Sequence, residues 1–190
     1  MKRRDLIKQI ENMGCILIRH GGKHDWYQNP DTKVSQPVPR HKEIKEHLDK
    51  AQNPLFFFDN DTDGLCSFLL LQRYSGKGKG VAIKSFPELT EEYFRKVKEL
   101  NADYIFILDK PLVSREFFEK SREFNIPIVI IDHHDIEREK IPEFVSYYNP
   151  LFNLTEESGP TTYLCYQVSQ KKEDMWIAVA GCISDRYVPN

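Results

Sequence analysis

The sequence lacks the features of membrane-spanning, secreted and disulfide-bonded proteins. No apolar run in its 190 residues approaches the length of a membrane span. The N-terminus is basic, but the apolar core of a secretion signal does not follow it. The four cysteines form no CxxC pair and lie among apolar residues, which indicates reduced core thiols and neither a zinc site nor disulfides. We expect a cytoplasmic protein that does not interact with membranes.

Two familiar ligand-binding loops are also incomplete. The glycine-rich stretch 75–80 lacks the spacing of a P-loop and precedes a strand, so it predicts a flexible basic turn. Asp59, Asp61 and Asp63 are spaced like the start of an EF-hand loop. Position twelve of that loop is Leu70 and not a glutamate, and a β-like run precedes it where a helix is required. The sequence therefore does not predict a calcium loop.

Charge is unevenly distributed between two parts of the chain. Residues 1–51 hold 11 lysines and arginines against 7 acidic residues, and four of the six histidines, whereas residues 52–190 hold 16 against 22. The content of 40% hydrophobic and 29% charged residues is that of a soluble globular protein, with length for one medium domain and a small appendage. A polyanion is expected to meet the basic front segment first.

The front segment, residues 1–51, has the pattern of a small α-β-β-β-α module. Apolar residues at helical spacing predict a helix over 5–12, and Gly14 is placed to cap it. Three short strands are predicted over 15–20, 25–28 and 36–40, with turns at Gly21-Gly22 and at 29–31. A short helix over 43–51 completes the module.

Three apolar runs in residues 53–190 end in carboxylates. The runs are 55–58, 104–108 and 126–131, followed respectively by Asp59, Asp61 and Asp63, by Asp109, and by Asp132, His133 and His134. Continuous apolar runs separated by helical patterns predict a parallel, doubly wound α/β sheet. Its carboxyl strand ends are neighbours, so the acidic groups are expected to meet in one crevice. Such a cluster favours a divalent metal site, with a solvated acidic turn and a zinc site as the alternatives.

The front segment resembles the HicA toxin family. The resemblance is carried by Lys2–Lys8, Gly14, Arg19–Tyr27, Val38–His41 and Glu43-Ile44. It implies a double-stranded-RNA-binding-like fold, with His24 at the position of the histidine that mRNA-cleaving members use. His24 could exchange a proton with a ribose hydroxyl while Lys23 holds phosphate, and Arg40 is a further candidate for nucleic-acid contact. The alternative is a basic patch that binds RNA without cleaving it.

Four motifs in residues 53–190 resemble those of the DHH phosphoesterase superfamily. They are Asp59-x-Asp61-x-Asp63-Gly64, Asp109, Asp132-His133-His134 and Ser184-Asp185. The superfamily includes RecJ-type exonucleases, nanoRNases, cyclic-dinucleotide phosphodiesterases and family II pyrophosphatases. The resemblance implies a metal-dependent phosphodiesterase or exonuclease acting on nucleic acid or nucleotides.

The resemblance also implies roles for individual residues. Two Mn²⁺ or Mg²⁺ ions would be bound by Asp61, Asp63, Asp109, His133 and Asp185. Asp109 would bridge the ions, and His134 would face the scissile phosphate, which makes these two the candidate catalytic residues. Asp59 and Asp132 would orient ligands or balance charge, and Arg186 is a candidate phosphate contact. An imidazole among carboxylates favours Mn²⁺ over Mg²⁺.

Two departures from the superfamily pattern affect these expectations. Phe57 stands where some branches have a metal-binding histidine, so the first ion is expected to be held more loosely or by Asp59. The smaller C-terminal domain of full members has no counterpart, so we expect substrate recognition and turnover to be altered. The alternative function is an RNA-binding or HicA-like mRNA-interferase protein with an inactive DHH-like part, and a fusion without joint function is a third reading.

Overall fold

The front segment folds in the predicted order. The computed structural model describes residues 3–20, 24–39, 41–84, 86, 88–153 and 159–188. For some of these residues it describes the backbone but not the side chain: 3–6, 19, 20, 24, 25, 36–39, 41, 42, 138, 152 and 153. The elements are α1 (Arg3–Asn12), β1 (Ile16–His20), β2 (His24–Gln28), β3 (Ser35–Pro39) and α2 (His41–Lys50). The three strands form an antiparallel sheet in the order β1-β2-β3.

The larger part of the chain is a parallel five-stranded sheet with helices between its strands. The strands are β4 (Pro54–Asp59), β5 (Lys79–Ile83), β6 (Tyr104–Leu108), β7 (Ile128–Ile131) and β8 (Ser146–Tyr148). The helices are α3 (Thr62–Ser75), α4 (Phe94–Glu99), α5 (Arg115–Glu123), α6 (Thr161–Ser169) and α7 (Met175–Ser184). The strand order is β5-β4-β6-β7-β8, and each neighbouring pair is parallel.

Helices cover both faces of this sheet. Strands β4, β6 and β7 are buried along their whole length, as their continuous apolar runs predict. On one face, Phe56 and Phe58 pack with apolar residues of α3, α6 and α7. On the other face, Leu55 and Phe57 pack with residues of α4 and α5. The predicted doubly wound sheet is confirmed.

The strand order places the switch point of the sheet between β4 and β6. Within this sheet, the chain first forms β4, then β5 on one side of β4, and then β6 on the other side of β4. At such a switch point the connections leave the sheet toward opposite faces, and open α/β sheets bind their ligands in the gap that remains. The carboxylates that follow β4, β6 and β7 therefore lie at one edge of the sheet.

Helix α2 of the front segment packs on the large sheet. Ile44 and Leu48 lie in the same buried cluster as Phe56. His47 Nδ1 is 2.6 Å from the Tyr104 hydroxyl, and the Tyr148 hydroxyl donates to the Glu43 carboxylate over 3.4 Å. The predicted division into residues 1–51 and 53–190 stays a prediction, and α2 contributes to the core of the second part.

The structure adds details on the cysteines, the glycine-rich turn and the helices. All four cysteines are free, and Cys66, Cys165 and Cys182 are buried. The glycine-rich turn is shorter than predicted, because β5 already begins at Lys79. Gly80 fits in this strand because the Phe68 ring lies where a Cβ would be. Among the described residues, none of the helices combines the length and the hydropathy of a transmembrane segment.

Gly181 allows α7 to lie directly against α6, and its replacement tests that contact. A Cβ at position 181 would clash with the Thr162 side chain. Gly181→Ala is expected to lower the free energy of unfolding by about 1–3 kcal/mol, measured by urea denaturation. Without a clash, replacing a glycine inside a helix by alanine would raise the free energy of unfolding by about 1 kcal/mol. A decrease in the free energy of unfolding would therefore indicate the clash with Thr162.

The matched control is Val179→Ala on the exposed face of the same helix, where Val179 is 49% exposed. This change is expected to stay within about 0.5 kcal/mol of wild type. A Gly181→Ala protein as stable as wild type would contradict the close packing of the two helices.

Candidate metal centre

Three carboxylates converge on one imidazole at the carboxyl edge of the sheet. His133 Nε2 lies 3.2 Å from an oxygen of Asp109, 3.4 Å from one of Asp185 and 3.6 Å from one of Asp63. The ring is 21% exposed, and the side chains of Asp63 and Asp109 are nearly inaccessible. Residues from four separate chain segments therefore meet around a single atom.

Asp63 reaches the site because α3 begins directly against the end of β4. Asp61 caps this helix, and its carboxylate accepts the backbone N–H of Gly64 over 2.9 Å. A Cβ on Gly64 would clash with the carbonyl oxygen of Asp59. Glycine at this position therefore lets the helix turn sharply out of the strand and point Asp63 toward the carboxyl end of β6.

Asp109 adopts a left-handed backbone conformation immediately after β6. Its φ is 56°, which is uncommon for a residue other than glycine, although aspartate tolerates it better than most. Its side chain is buried and contacts His133 Nε2. Such a conformation costs on the order of 1–3 kcal/mol and occurs preferentially at functional sites.

The start of α6 holds Asp63 and Asp109. The backbone N–H of Thr161 and that of Thr162 donate to the two carboxylate oxygens of Asp63 over 2.9 and 2.7 Å. The Thr161 hydroxyl donates to Asp109 over 3.2 Å, and the Thr162 hydroxyl donates to the backbone carbonyl of Asp63 over 2.9 Å. Both threonines are completely buried.

A hydrogen-bond network fixes His134 beside the cluster. Its Nδ1 is 2.8 Å from an oxygen of Asp132, whose other oxygen accepts from the Tyr147 hydroxyl over 3.2 Å. Asn149 donates to the Tyr147 hydroxyl over 2.9 Å and to the His134 carbonyl over 2.8 Å. The His134 side chain remains 44% exposed. Its Nε2 is therefore left for solvent or a ligand.

The cluster contains more negative than positive charge. Burial and the neighbouring Asp109 raise the pKa of Asp63 to about 7, against hydrogen bonds from Thr162 that lower it. Burial opposes a charge on His133, but its contacts with Asp109 and Asp63 prevail and raise the pKa of the ring to about 9. Burial is the largest single influence on Asp109 and acts to raise its pKa, but the hydrogen bond and charge of His133, together with the charge of His134, lower the pKa overall. One imidazolium thus does not compensate the carboxylates.

Lys110 adds a buried cation next to the cluster. It is 1% exposed, and its Nζ donates to the Lys84 carbonyl over 2.9 Å. Burial lowers its pKa, while the charges of Asp59 and Asp109 act in the opposite direction. The positive charge of Lys110 therefore offsets part of the carboxylate charge.

The donor groups fit a divalent cation. Among the described residues, two groups have ligand atoms within 4.8 Å of one another: Asp109, His133 and His134 in one, and Asp63, His133 and Asp185 in the other. Neighbouring ligands of an octahedral ion with bonds of 2.0–2.1 Å are about 2.9 Å apart. The His133 distances of 3.2–3.6 Å are close to this spacing. Carboxylates with one or two imidazoles form a donor set suited to Mn²⁺.

The remaining predicted site residues lie at varying distances from the cluster. Asp61 is outside both groups but near enough for the charges of Asp109, Asp59 and Asp185 to add to the effect of burial, which raises its pKa. Asp59 is buried at the end of β4, and Arg186 is exposed after α7. Lys23, Arg40 and the side chain of His24 lie outside the described residues. The roles predicted for all these residues stay predictions.

Phe57 cannot contribute to the centre. Its ring is completely buried on the face of β4 that α4 and α5 cover, and it meets the rings of Tyr93 and Phe117 edge-on. The two groups of potential ligands share His133, whereas the superfamily resemblance implied Asp109 as the bridge. Looser binding of the first ion and a substitute role for Asp59 remain predictions.

A cleft of about 360 Å³ is formed by the loops that follow β6 and β7. Its lining consists of Pro111, Leu112, Asp135, Ile136, Glu137 and Lys140. Pro111 is two residues from Asp109, and Asp135 directly follows His134. The cleft is therefore lined by residues that closely follow Asp109 and His134 in the chain.

Sequence reasoning missed Thr161, Thr162, Tyr147, Asn149 and Lys110. The Gly-Pro-Thr-Thr sequence predicts the start of α6, but nothing in it identifies Asp63, almost a hundred residues earlier, as the partner. Lys110 could have been noted, because a lysine next to a strand-end aspartate inside an apolar region requires a partner when buried.

Comparisons with known proteins agree with this architecture. Residues 55–184 match the model of the DHH family, N-terminal domain, and residues 3–50 match that of the HicA toxin of bacterial toxin–antitoxin systems. No curated protein matches the chain.

Solved structures with the same fold include two RecJ proteins. An exonuclease RecJ bound to manganese has a TM-score of 0.62 at 16% identity, over 76% of this chain and 42% of that one. RecJ in complex with Mn²⁺ from Thermus thermophilus has a TM-score of 0.63 at 16% identity, over 77% and 24%. The DHH domain of a member of the S1p family of ribosomal proteins has a TM-score of 0.54 at 17% identity, over 78% and 43%.

The chain thus spans less than half the length of these solved structures. The match to the DHH model nevertheless covers more than half of this chain. It includes Asp63, Asp109 and His133, and it ends one residue before Asp185. The protein belongs to the DHH family.

Proposed function

We propose that the protein is a metal-dependent phosphodiesterase or exonuclease that hydrolyses nucleic acid or nucleotides. The observation that carries this proposal is the convergence of Asp63, Asp109 and Asp185 on His133. Membership of the DHH family supports a hydrolase, and the manganese in the two RecJ structures supports the choice of ion.

Two divalent cations, Mn²⁺ in preference to Mg²⁺, would be held by Asp61, Asp63, Asp109, His133 and Asp185. Cations in such a site supply a nucleophilic water at neutral pH and neutralise charge on the phosphate oxygens. Asp109 is the candidate bridging ligand, because it is buried between the Thr161 hydroxyl and the two histidines. Asp59 and Asp132 orient neighbouring groups.

His134 is the candidate general acid. Asp132 holds its Nδ1, and this hydrogen bond raises the pKa of the ring against the effect of burial, so the protonated form is favoured. The half-exposed ring can then give its Nε2 proton to the leaving oxygen of the substrate. Tyr147 and Asn149 keep the ring and Asp132 in place.

The cleft formed by the loops after β6 and β7 offers room for part of a substrate. Its volume of about 360 Å³ is at the lower end of the range for small-molecule sites. Arg186 follows Asp185 on the surface and is a candidate contact for a further phosphate.

The first test is Mn²⁺-dependent hydrolysis of bis(p-nitrophenyl) phosphate by wild type and Asp109→Asn. Asparagine keeps the shape of the side chain and tolerates the positive φ. A loss of activity would therefore show that the negative charge of the carboxylate is required, and would not result from a strained backbone. We expect a fall in kcat of more than about 100-fold, because even residues that only orient metal ligands contribute 10–100-fold.

Glu143→Gln removes an exposed carboxylate distant from the cluster and serves as the matched control, with wild-type activity expected. Hydrolysis that does not need Mn²⁺, or that persists in Asp109→Asn, would contradict the proposal.

The role of His134 is tested by comparing leaving groups. p-Nitrophenolate departs without protonation, whereas the ribose oxygen released from a dinucleotide requires a proton. His134→Asn is expected to slow dinucleotide hydrolysis by about 100-fold or more and to have a much smaller effect on the p-nitrophenyl ester. Equal losses with both substrates would rule out proton donation by His134.

A second candidate function rests on the HicA match over residues 3–50. In this alternative, His24 cleaves mRNA or the segment only binds RNA through Lys23, Arg40 and their neighbours, and the DHH part is inactive. The helix α2 is present, but it packs on the large sheet through Ile44 and Leu48.

Cleavage of a labelled RNA separates the two candidates. We expect cleavage to require Mn²⁺, to survive His24→Ala and to be lost in Asp109→Asn, because the cluster supplies the metal ligands. Cleavage with the reverse pattern would assign the activity to the front segment, and RNA retention without cleavage would favour the binding alternative.

A further inference from the structure

We propose that Thr161 and Thr162 are positioning residues of the metal centre, and that the first turn of α6 holds Asp63 and Asp109 in the orientation that binds the cations. The inference rests on the proposed function only in so far as the site binds divalent cations. The two threonines precede the last motif by more than twenty residues and lie in none of the four motifs.

The contacts are specific to the two ligands. Each carboxylate oxygen of Asp63 receives one backbone N–H, at 2.9 Å from Thr161 and 2.7 Å from Thr162. A carboxylate oxygen accepts two hydrogen bonds, so each keeps one lone pair for a cation. Because α6 presents its N-terminus to Asp63, the helix dipole also favours the ionised carboxylate.

The Thr161 hydroxyl connects a second ligand to the same helix. It donates to Asp109 Oδ1 over 3.2 Å, and this oxygen also lies 3.2 Å from His133 Nε2. The first turn of α6 thus fixes the relative position of two carboxylates that come from α3 and from the end of β6. A shift of this helix would move both ligands together.

Neighbouring helices fix α6 in turn. Thr162 Oγ1 is 3.3 Å from the Ser67 hydroxyl of α3. On the other side, Gly181 of α7 leaves no space between the helices, because a Cβ there would clash with Thr162. Asp185 caps the end of α7, so the same contact relates the third carboxylate to the first two.

The experiment measures Mn²⁺ affinity by isothermal titration calorimetry in variants that change only a hydroxyl or a methyl group. Thr161→Val keeps the shape and both backbone N–H donors but removes the bond to Asp109. Thr161→Ser keeps the hydroxyl and removes the methyl group. We expect Thr161→Val to weaken Mn²⁺ binding by about 10–100-fold and Thr161→Ser to bind nearly as wild type.

Two controls separate positioning from general stability. Thr90→Val alters a threonine that makes no capping hydrogen bond and contacts none of the carboxylates of the cluster in the described residues, so its Mn²⁺ affinity is expected to equal that of wild type. Urea denaturation of the metal-free proteins shows how far each change destabilises the fold. A Thr161→Val protein that is less stable but binds Mn²⁺ normally would overturn the inference, as would equal impairment in Thr161→Ser.

The proposed function can fail without affecting this result. If wild type binds Mn²⁺ but hydrolyses no phosphodiester, the enzyme proposal fails, and the affinity difference between the valine and serine variants still decides the positioning role. If wild type binds no Mn²⁺, both proposals fail.

Discussion

Repulsion among buried carboxylates is the constraint on which the rest of this structure depends. Asp63 and Asp109 are each 1% exposed, and Asp185 lies next to them around one imidazole. Buried charges of one sign cost several kcal/mol unless they are paired or hydrogen-bonded. His133 and the N–H groups of α6 compensate part of this charge, but the pKa of Asp63 still rises to about 7. The remaining charge favours a bound cation, which would stabilise the folded protein as well as equip the site.

The sheet order determines why these groups meet at all. Strands β4, β6 and β7 are adjacent and parallel, so the residues that follow them emerge at the same edge. Their strand-end residues then leave the sheet by different means. Asp63 enters the first turn of α3, Asp109 takes a left-handed conformation and His133 follows Asp132 in an irregular loop. These different backbone geometries let side chains from neighbouring strands point at one place without colliding.

Much of the fold, but only part of the metal centre, could be predicted from the sequence. Buried strands read as continuous apolar runs, so β4, β6 and β7 and the acids after them could be identified, and parallel pairing then implied that the acids converge. The hydrogen-bond partners could not be identified in this way. Thr161 and Thr162 reach Asp63 only because α6 packs against α3. Tyr147 reaches Asp132 only through the register of β8 with β7. Such contacts depend on tertiary distances that local patterns do not encode.

The boundary between the two family matches does not coincide with a boundary in packing. The HicA match ends at residue 50 and the DHH match begins at 55, yet Ile44, Leu48 and Ala51 are buried in the cluster that covers the large sheet. Burying a leucine side chain contributes about 1.5–3 kcal/mol, so the DHH part without α2 would lose stability and expose apolar side chains of this cluster to water. On the three-stranded sheet of the front segment, Ile16 is 52% and Val34 is 55% exposed, whereas Tyr27 is buried. Helix α2 thus belongs to the HicA match by sequence and to the core of the DHH part by packing.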